Sequence, residues 1–232
     1  MALVAHHRGQ DSTHFVERDD GYLDSMDAGM YFSRWWHWLP TERKAMRWAR
    51  GRVLDAGCGA GRHAIHLQEK GFKVTGLDDS PLALKVCRER GLKRTLLMDF
   101  ARVGTLPPGA FDTVLMMCNN FGLFGSPAGA KRLLRALHRV TAPGARILAS
   151  SNDVYRTRDP YHLGYHRLNR GRGRWPGQIR LRVRFRNIAS PWFDYLMVSR
   201  GEMKSLVRGT GWKVEGFIGK KAFYVGVLGR AG

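Results

Sequence analysis

Acidic residues are scarce in this chain of 232 residues: 19 Asp and Glu stand against 39 Lys and Arg, a formal net charge of +20. The isoelectric point is accordingly near 10.8. So basic a balance favours contact with polyanions such as RNA, or with an acidic small molecule, although a large charge also simply keeps a surface solvated. Cysteine is scarce too. Cys58, Cys87 and Cys118 are an odd number, widely spaced in expected core elements, and read as small buried thiols rather than disulfides or metal ligands. No stretch approaches the roughly 20 apolar residues of a membrane helix, so no membrane partner is expected. A secretory leader pattern is absent from the first residues, and a cytoplasmic protein is expected. His162 and His166 stand four apart, but Gly164 weakens a helix there and no Glu or Cys completes a ligand set; His63 and His66 read as helix-surface residues. No metal is predicted.

What is present is organised around Val53-Leu54-Asp55-Ala56-Gly57-Cys58-Gly59-Ala60-Gly61. A short apolar run stopped by glycine reads as a buried strand. Three glycines at alternate positions let the loop bend sharply and press its backbone against a ligand. Residues 62–70 read as a helix that Gly71 ends. Strand, glycine loop and helix describe a nucleotide-type site. The dinucleotide fingerprint needs glycine at the sixth place, which here is Arg62, so an oxidoreductase is disfavoured. No Gly-Lys-Ser/Thr follows, so it is not a P-loop either.

Beyond the loop the chain alternates. Strands are expected at 73–77, 94–98, 112–118 and 146–149. Ser80-Pro81 and Ser126-Pro127 supply cap and first-turn signals for two of the intervening helices. Such alternation predicts a doubly wound α/β domain, a mostly parallel sheet with helices on both faces. Before it, residues 1–50 read as an N-terminal helical and aromatic segment. Its first 20 or so positions are polar and mobile, Tyr22, Tyr31, Phe32, Trp35, Trp36 and Trp38 follow, and Thr41 caps a short basic helix. The aromatics mostly suit packing, though such rings also stack on a base or cage a cation.

After the core at 51–150, residues 151–200 break the rhythm with ten arginines between Arg156 and Arg186. Residues 179–186 alternate strictly, giving a strand with one face of Arg180, Arg182, Arg184 and Arg186. Residues 191–198 return as its partner, so the segment reads as an inserted antiparallel β unit after the fifth strand. Over 201–232, a helix capped by Ser199 and Glu202 is followed by a hairpin of residues 212–218 and 222–228.

The glycine triplet with Asp55 before it resembles the G-x-G-x-G signature of the class I S-adenosylmethionine-dependent methyltransferases. The closing helix and hairpin resemble that family as well. The likeness covers about 52–150 closely and 199–229 in outline. It implies a seven-stranded Rossmann-like sheet and S-adenosylmethionine as cofactor, with S-adenosylhomocysteine as product. In the family's pattern, Asp55 with Gly57, Cys58, Gly59 and Gly61 holds the methionine part. Asp78, about twenty residues past the loop, suits the ribose hydroxyls. Asp79 is an alternative that also fits a helix start. Asp99 and Phe100 match the adenine site, and Tyr31 and Arg34 are candidates by position. Asn119 and Asn120 follow the fourth strand, where the family meets the acceptor, but plain strand-end capping fits them too. The prolines of the family's amino-methylating nucleic-acid enzymes are missing there.

The implied activity is methyl transfer to a small, anionic acceptor, with 151–200 as substrate lid and Arg180, Arg182, Arg184, Tyr22 and Trp35 around the substrate. The alternative is an RNA methyltransferase using the basic surface, in which the arginine strand is a phosphate track. A protein that only binds the cofactor is a third reading, opposed by the joint presence of Asp55, the glycines, Asp78 and Asp99.

Overall fold

Neighbouring residues of the central strands are buried in opposite directions. Val53, Leu115 and Leu148 join one apolar cluster, while Leu54, Met116 and Ile147 join another. Strand side chains alternate between faces, so a strand buried at every residue is covered on both sides, and its composition is apolar throughout. A computed structural model, describing residues 1–231, shows the two-sided sheet that follows from this pattern.

The chain runs α1 (Ala2–His7), β1 (Thr13–Arg18), β2 (Leu23–Asp27), two 3-10 turns at Ala28–Phe32 and Trp35–His37, and α2 (Pro40–Met46). The core follows as β3 (Arg52–Ala56), α3 (Arg62–Glu69), β4 (Lys73–Asp78), α4 (Pro81–Glu89), β5 (Thr95–Leu97), β6 (Phe111–Met116), α5 (Pro127–Val140) and β7 (Thr141–Asn152). Then come α6 (Pro160–Gly171), β8 (Gln178–Phe185), β9 (Ile188–Ala189), β10 (Phe193–Leu196), α7 (Arg200–Val207), β11 (Trp212–Ile218) and β12 (Phe223–Arg230).

The main sheet has seven strands in the order β11-β12-β7-β6-β3-β4-β5. β12 runs antiparallel to both neighbours and the other pairs are parallel. The strand order reverses between β3 and β6, and ligands of such sheets bind outside the carboxyl ends at that switch point. The expected capping devices are in place. Ser80 Oγ accepts from Ala83 N, Ser126 Oγ accepts from Gly129 N, and Ser199 with Glu202 closes a capping box.

A second antiparallel sheet, ordered β10-β8-β1-β2 with β9 also on β8, lies outside this core. The inserted β unit is therefore present, but it does not stand alone. Residues 13–27 form a hairpin whose first strand pairs with β8, Glu17 opposite Arg182 and Phe15 opposite Arg184. The N-terminal segment has the expected helical turns, and this hairpin is an addition to them. Its first 20 residues, expected to be mobile, include α1 and β1. Two local expectations change as well. Leu39, not Thr41, is the N-cap of α2, because Pro40 takes the first helical position and Glu42 reaches back to accept from Leu39 N at 3.1 Å. A helix, α6, does span Gly164: Asp159 accepts from Tyr161 N at 2.8 Å and Pro160 starts the turn, a cap strong enough to carry one glycine.

Candidate active site

The glycine loop is shaped by its backbone. Gly57, Gly59 and Gly61 have φ of 71°, 55° and 80°, the left-handed region that a side chain disfavours. The N–H groups of Gly57 and Cys58 both donate to Leu77 O, at 2.8 and 3.0 Å, which pins the loop to the end of β4. A Cβ on Gly57 would come within 2.7 Å of Asn120 Nδ2, whereas one on Gly59 would meet nothing within 4 Å. The loop is thus packed on one side and open on the other. Cys58 and Cys87 meet beneath it, sulfur to sulfur at 3.8 Å, and the Cys87 thiol donates to Gly59 O at 3.1 Å. They are buried and free, as expected.

Beside the loop lies a cavity of about 150 Å³ at the carboxyl ends of β3 and β6. Of the expected site residues, Tyr31, Asp55, Gly57, Cys58, Gly59 and Asn120 line it. Asp55 is 2% exposed, its Oδ2 has no partner, and burial pushes its carboxyl up to about 7. Asp78 sits under the loop, where Oδ2 accepts from Gly59 N at 2.9 Å and Oδ1 accepts from Ser80 N at 3.0 Å. Burial raises its carboxyl above the ordinary range despite those two bonds. Asp79 is exposed. Asp99 is exposed too and accepts from Ala101 N at 2.8 Å, while Phe100 is buried against Phe124 with ring centroids 5.8 Å apart.

The strand-end asparagines are tightly engaged. Cys118 and Asn119 both have positive φ, 55° and 65°, in a turn held by several bonds. Asn119 N donates to Ser150 Oγ at 2.7 Å, and its side-chain Oδ1 is buried without a partner. Asn120 Nδ2 donates to the carbonyls of Ala56 and Gly57, both at 2.9 Å, stapling β6's end to the glycine loop.

Other expected residues lie away from the cavity. Arg34 is exposed over the Trp36 ring, and Trp35 stacks on His66 with centroids 4.5 Å apart. Tyr22 packs against Arg18 and His162. The arginines of β8 are paired with the chain's own carboxylates. Arg182 binds Glu17 through two bonds of 2.7 and 2.8 Å, Arg184 reaches the same carboxylate, and Arg180 faces Asp194 at 3.4 Å. None of the three lines the cavity.

Sequence reasoning did not single out Glu42, Arg62, Cys118 or Tyr195 for the site, and it placed His63 on a helix surface. His63 is buried at 5% exposure and kept neutral by that burial. Arg62 donates from Nη2 to Glu42 Oε2 at 3.0 Å and from Nη1 to Cys118 Sγ at 3.4 Å. Burial opposes ionisation of Glu42, but the His63 ring, with Nε2 3.4 Å from Oε1, and the Arg62 charge together hold it below the usual carboxylate range. Glu42, His63 and Cys118 bring three metal-ligating atoms within 4.8 Å of one another. The Arg62 guanidinium already contacts two of them, so the cluster has a cation of its own. Tyr195, from β10, closes the cavity: its ring packs on Gly122 and its hydroxyl donates to Asn119 O at 2.7 Å. Burial keeps the phenols of Tyr31 and Tyr195 protonated by raising both above the usual tyrosine value.

These residues fit a nucleoside carrying an amino acid tail. The open face of Gly59 admits close backbone approach, the orphaned Asp55 oxygen awaits a donor, and Asp78 lies at the end of β4, where a ribose is held in such sheets. Comparison with known proteins agrees. A family described as "Methyltransferase domain" matches residues 53–144. A S-adenosylmethionine-dependent methyltransferase from Bacteroides fragilis, solved with S-adenosyl-L-homocysteine, superposes with a TM-score of 0.84 at 27% identity over 99% of this chain and 92% of that one. A putative methyltransferase of Bacillus subtilis, YqeM, is 27% identical over 128 residues, 54% of this chain and 50% of that protein. A ubiquinone biosynthesis O-methyltransferase of Methylocella silvestris is 40% identical over 85 residues, 34% of this chain and 33% of that protein. The chain therefore spans a third to a half of the curated relatives it matches. With the strand order, the glycine loop and these likenesses in agreement, the chain belongs to the class I S-adenosylmethionine-dependent methyltransferases.

Proposed function

We propose that this protein transfers a methyl group from S-adenosylmethionine to a small acceptor held beneath the second sheet. The observation that carries this reading is the cavity itself. It is small, it adjoins the glycine loop, and Tyr31 and Tyr195, on either side of the chain's core, both wall it in. This arrangement suits a molecule that enters whole and is enclosed, whereas a polymer such as RNA would have to extrude a base into it.

When bound, the cofactor supplies an activated methyl on a sulfonium whose charge disperses during in-line transfer. The chain's contribution is to place and to exclude. Asp55, Gly57, Cys58, Gly59 and Gly61 receive the methionine part, Asp78 with Asp79 nearby receives the ribose, and Asp99 and Phe100 bound the adenine end. Tyr195 and Tyr31 remove water from the reacting face, and Asn119 and Asn120 fix the wall against which the acceptor lies. Holding nucleophile and methyl in near-attack geometry in a dry site is the main requirement of such a reaction. Both phenols and His63 are neutral at the cavity. The phenols are thereby hydrogen-bond donors rather than strong bases, whereas neutral His63 is in the form that accepts a proton.

The anionic character of the acceptor rests on the net charge of +20. The same charge keeps RNA as the second reading, although Arg180, Arg182 and Arg184 are engaged in ion pairs. The test offers methyl-labelled S-adenosylmethionine and the purified protein separately to a small-molecule extract and to total RNA. Label in the small-molecule fraction is expected; label in RNA alone reverses the assignment.

A further inference from the structure

We propose that the methyl acceptor lays an uncharged, apolar, ring-sized body on the inner face of the second sheet, against Leu181, Val183 and Phe193. The proposal rests on the reading of the cavity as the site of methyl transfer. Any anionic group of the acceptor then stays outside the chamber, toward the basic surface.

The two faces of β8 are opposite in chemistry. Arg180, Arg182 and Arg184 occupy one and are paired with Asp194 and Glu17. Ile179, Leu181, Val183 and Phe185 occupy the other, because side chains alternate along a strand. Register fixes which way this apolar face looks. Tyr195 stands opposite Ile179, and opposed residues of an antiparallel pair share a face. The Tyr195 ring lies on Gly122 and lines the cavity. At the other end Phe185 is buried in the small cluster against which Tyr31, also a cavity residue, packs. Both ends of the apolar face are thus turned inward beside a cavity tyrosine, and Leu181 and Val183 lie between them.

The middle of this face is apolar and incompletely covered. Val16, opposite Val183, and Phe193, opposite Leu181, extend it onto the flanking strands. Phe193 is 39% exposed, and Val16, Leu181 and Val183 are half-buried. Among the described residues, none of these four joins an apolar core cluster, whereas Phe185 does. Three strands span about 10 Å and two residues along a strand about 7 Å, so the patch matches a flat body of one or two rings. Among the described residues it carries no free cation. Arg18, opposite Leu181, is held by Asp20 through bonds of 2.7 and 2.8 Å. His14 is buried with Nδ1 3.3 Å from Ser12 O, and Asp24, opposite Val16, is an exposed acid at the edge. A carboxylate or phosphate placed on the patch would lose water without gaining a partner. An apolar wall leading to a few polar groups is the usual make-up of a small-molecule site, and here those groups are at the cavity.

The test gives the full chain methyl-labelled S-adenosylmethionine and a small-molecule extract, and removes unreacted cofactor on a cation-exchange resin. The products are shaken with ethyl acetate at about pH 2, where carboxylates are neutral, and at about pH 8. Label that enters the organic phase at the lower value is expected; label that stays in water at both overturns the proposal. No labelled small molecule at all removes the methyl-transfer reading and the proposal with it, an outcome distinct from a water-bound product. Variants locate the surface. Val183→Thr, nearly the same shape with a hydroxyl added, and Leu181→Gln are expected to raise the half-saturating amount of extract roughly tenfold, with maximal rate within about threefold. Their affinity for S-adenosylhomocysteine, by calorimetry, is expected to stay within about threefold. Phe15→Thr, on the opposite face beside Arg184, is expected to change neither quantity. An equal rise in Phe15→Thr, or no rise in either inner-face variant, overturns the proposal. If Leu181→Gln does not fold, Val183→Thr and the partition decide.

Discussion

The hydroxyl of Tyr195 donates to the carbonyl oxygen of Asn119 across 2.7 Å, joining the second sheet to the end of β6. Seventy-six positions separate the two residues, and the bond lies at a turn that already contains two left-handed residues, Cys118 and Asn119. Non-glycine residues in that region are held there by their surroundings, and such strain gathers at functional sites.

Tyr195→Phe removes this bond and keeps the ring on Gly122. The expected cost is about 0.5–1.5 kcal/mol of unfolding free energy, the usual net worth of one buried hydrogen bond. Affinity for S-adenosylhomocysteine should change little, while turnover falls, because the change lies on the acceptor wall. Denaturant unfolding and a ligand titration together check it, and an equal loss in both ligand affinity and turnover would place Tyr195 on the cofactor side.

Asn120→Ala cuts both bonds from Nδ2 to Ala56 O and Gly57 O. The glycine loop loses its staple, and two carbonyls lose a donor. S-adenosylhomocysteine affinity is expected to fall roughly tenfold, with about 1–3 kcal/mol lost in stability. Calorimetry on the folded variant separates the two effects.

Asp78→Ala is expected to weaken S-adenosylhomocysteine binding roughly ten- to hundredfold, since a carboxylate that accepts from a ribose diol also holds Gly59 N in place. Asp79→Ala, at an exposed position, should stay within about threefold. Unchanged affinity in Asp78→Ala would remove it from the site.

Asp55 gives the apo protein a pH dependence of definite sign. Its folded-state value is raised by burial to about 7, above the ordinary carboxylate value. The native state therefore holds a proton that the unfolded chain has already released. The resulting stability is fully present below the unfolded value, about pH 4, and is lost as pH rises toward 7. Asp55→Asn should flatten that slope and stabilise the apo form at pH 8. A ligand carrying an ammonium favours ionised Asp55, so S-adenosylhomocysteine binding should release a proton below pH 7 and weaken as the solution is acidified. Calorimetry in buffers of different ionisation enthalpy measures that proton directly.

The parts of the fold that were legible in the sequence are those written locally. Apolar runs, Ser-Pro starts and glycine stops mark β3 to β7 and their helices, and the Ser199 capping box marks α7. Strand β8 was legible from its alternation, but the direction of its arginines was not, because Glu17 sits 165 positions away. The hairpin at 13–27 was missed for a similar reason. Its strands are polar, and only pairing with β8 gives them a face to bury. At the site, the glycine loop and its acids follow from spacing. Tyr195 does not, since its place depends on the register of β10 against β8. Arg62 was visible only as a residue that rules out a dinucleotide, and Glu42 as part of an ordinary helix start. Their meeting is a tertiary event.

The second sheet also orders the protein's assembly in time. During synthesis β1 emerges roughly 165 residues ahead of its partner β8. Loop-closure entropy makes such distant pairings slow to form. The parallel core can therefore fold while the first hairpin still waits, exposed, for the strand that covers it. Because Tyr195 of β10 lines the cavity and bonds Asn119, local opening of this sheet also opens the cavity.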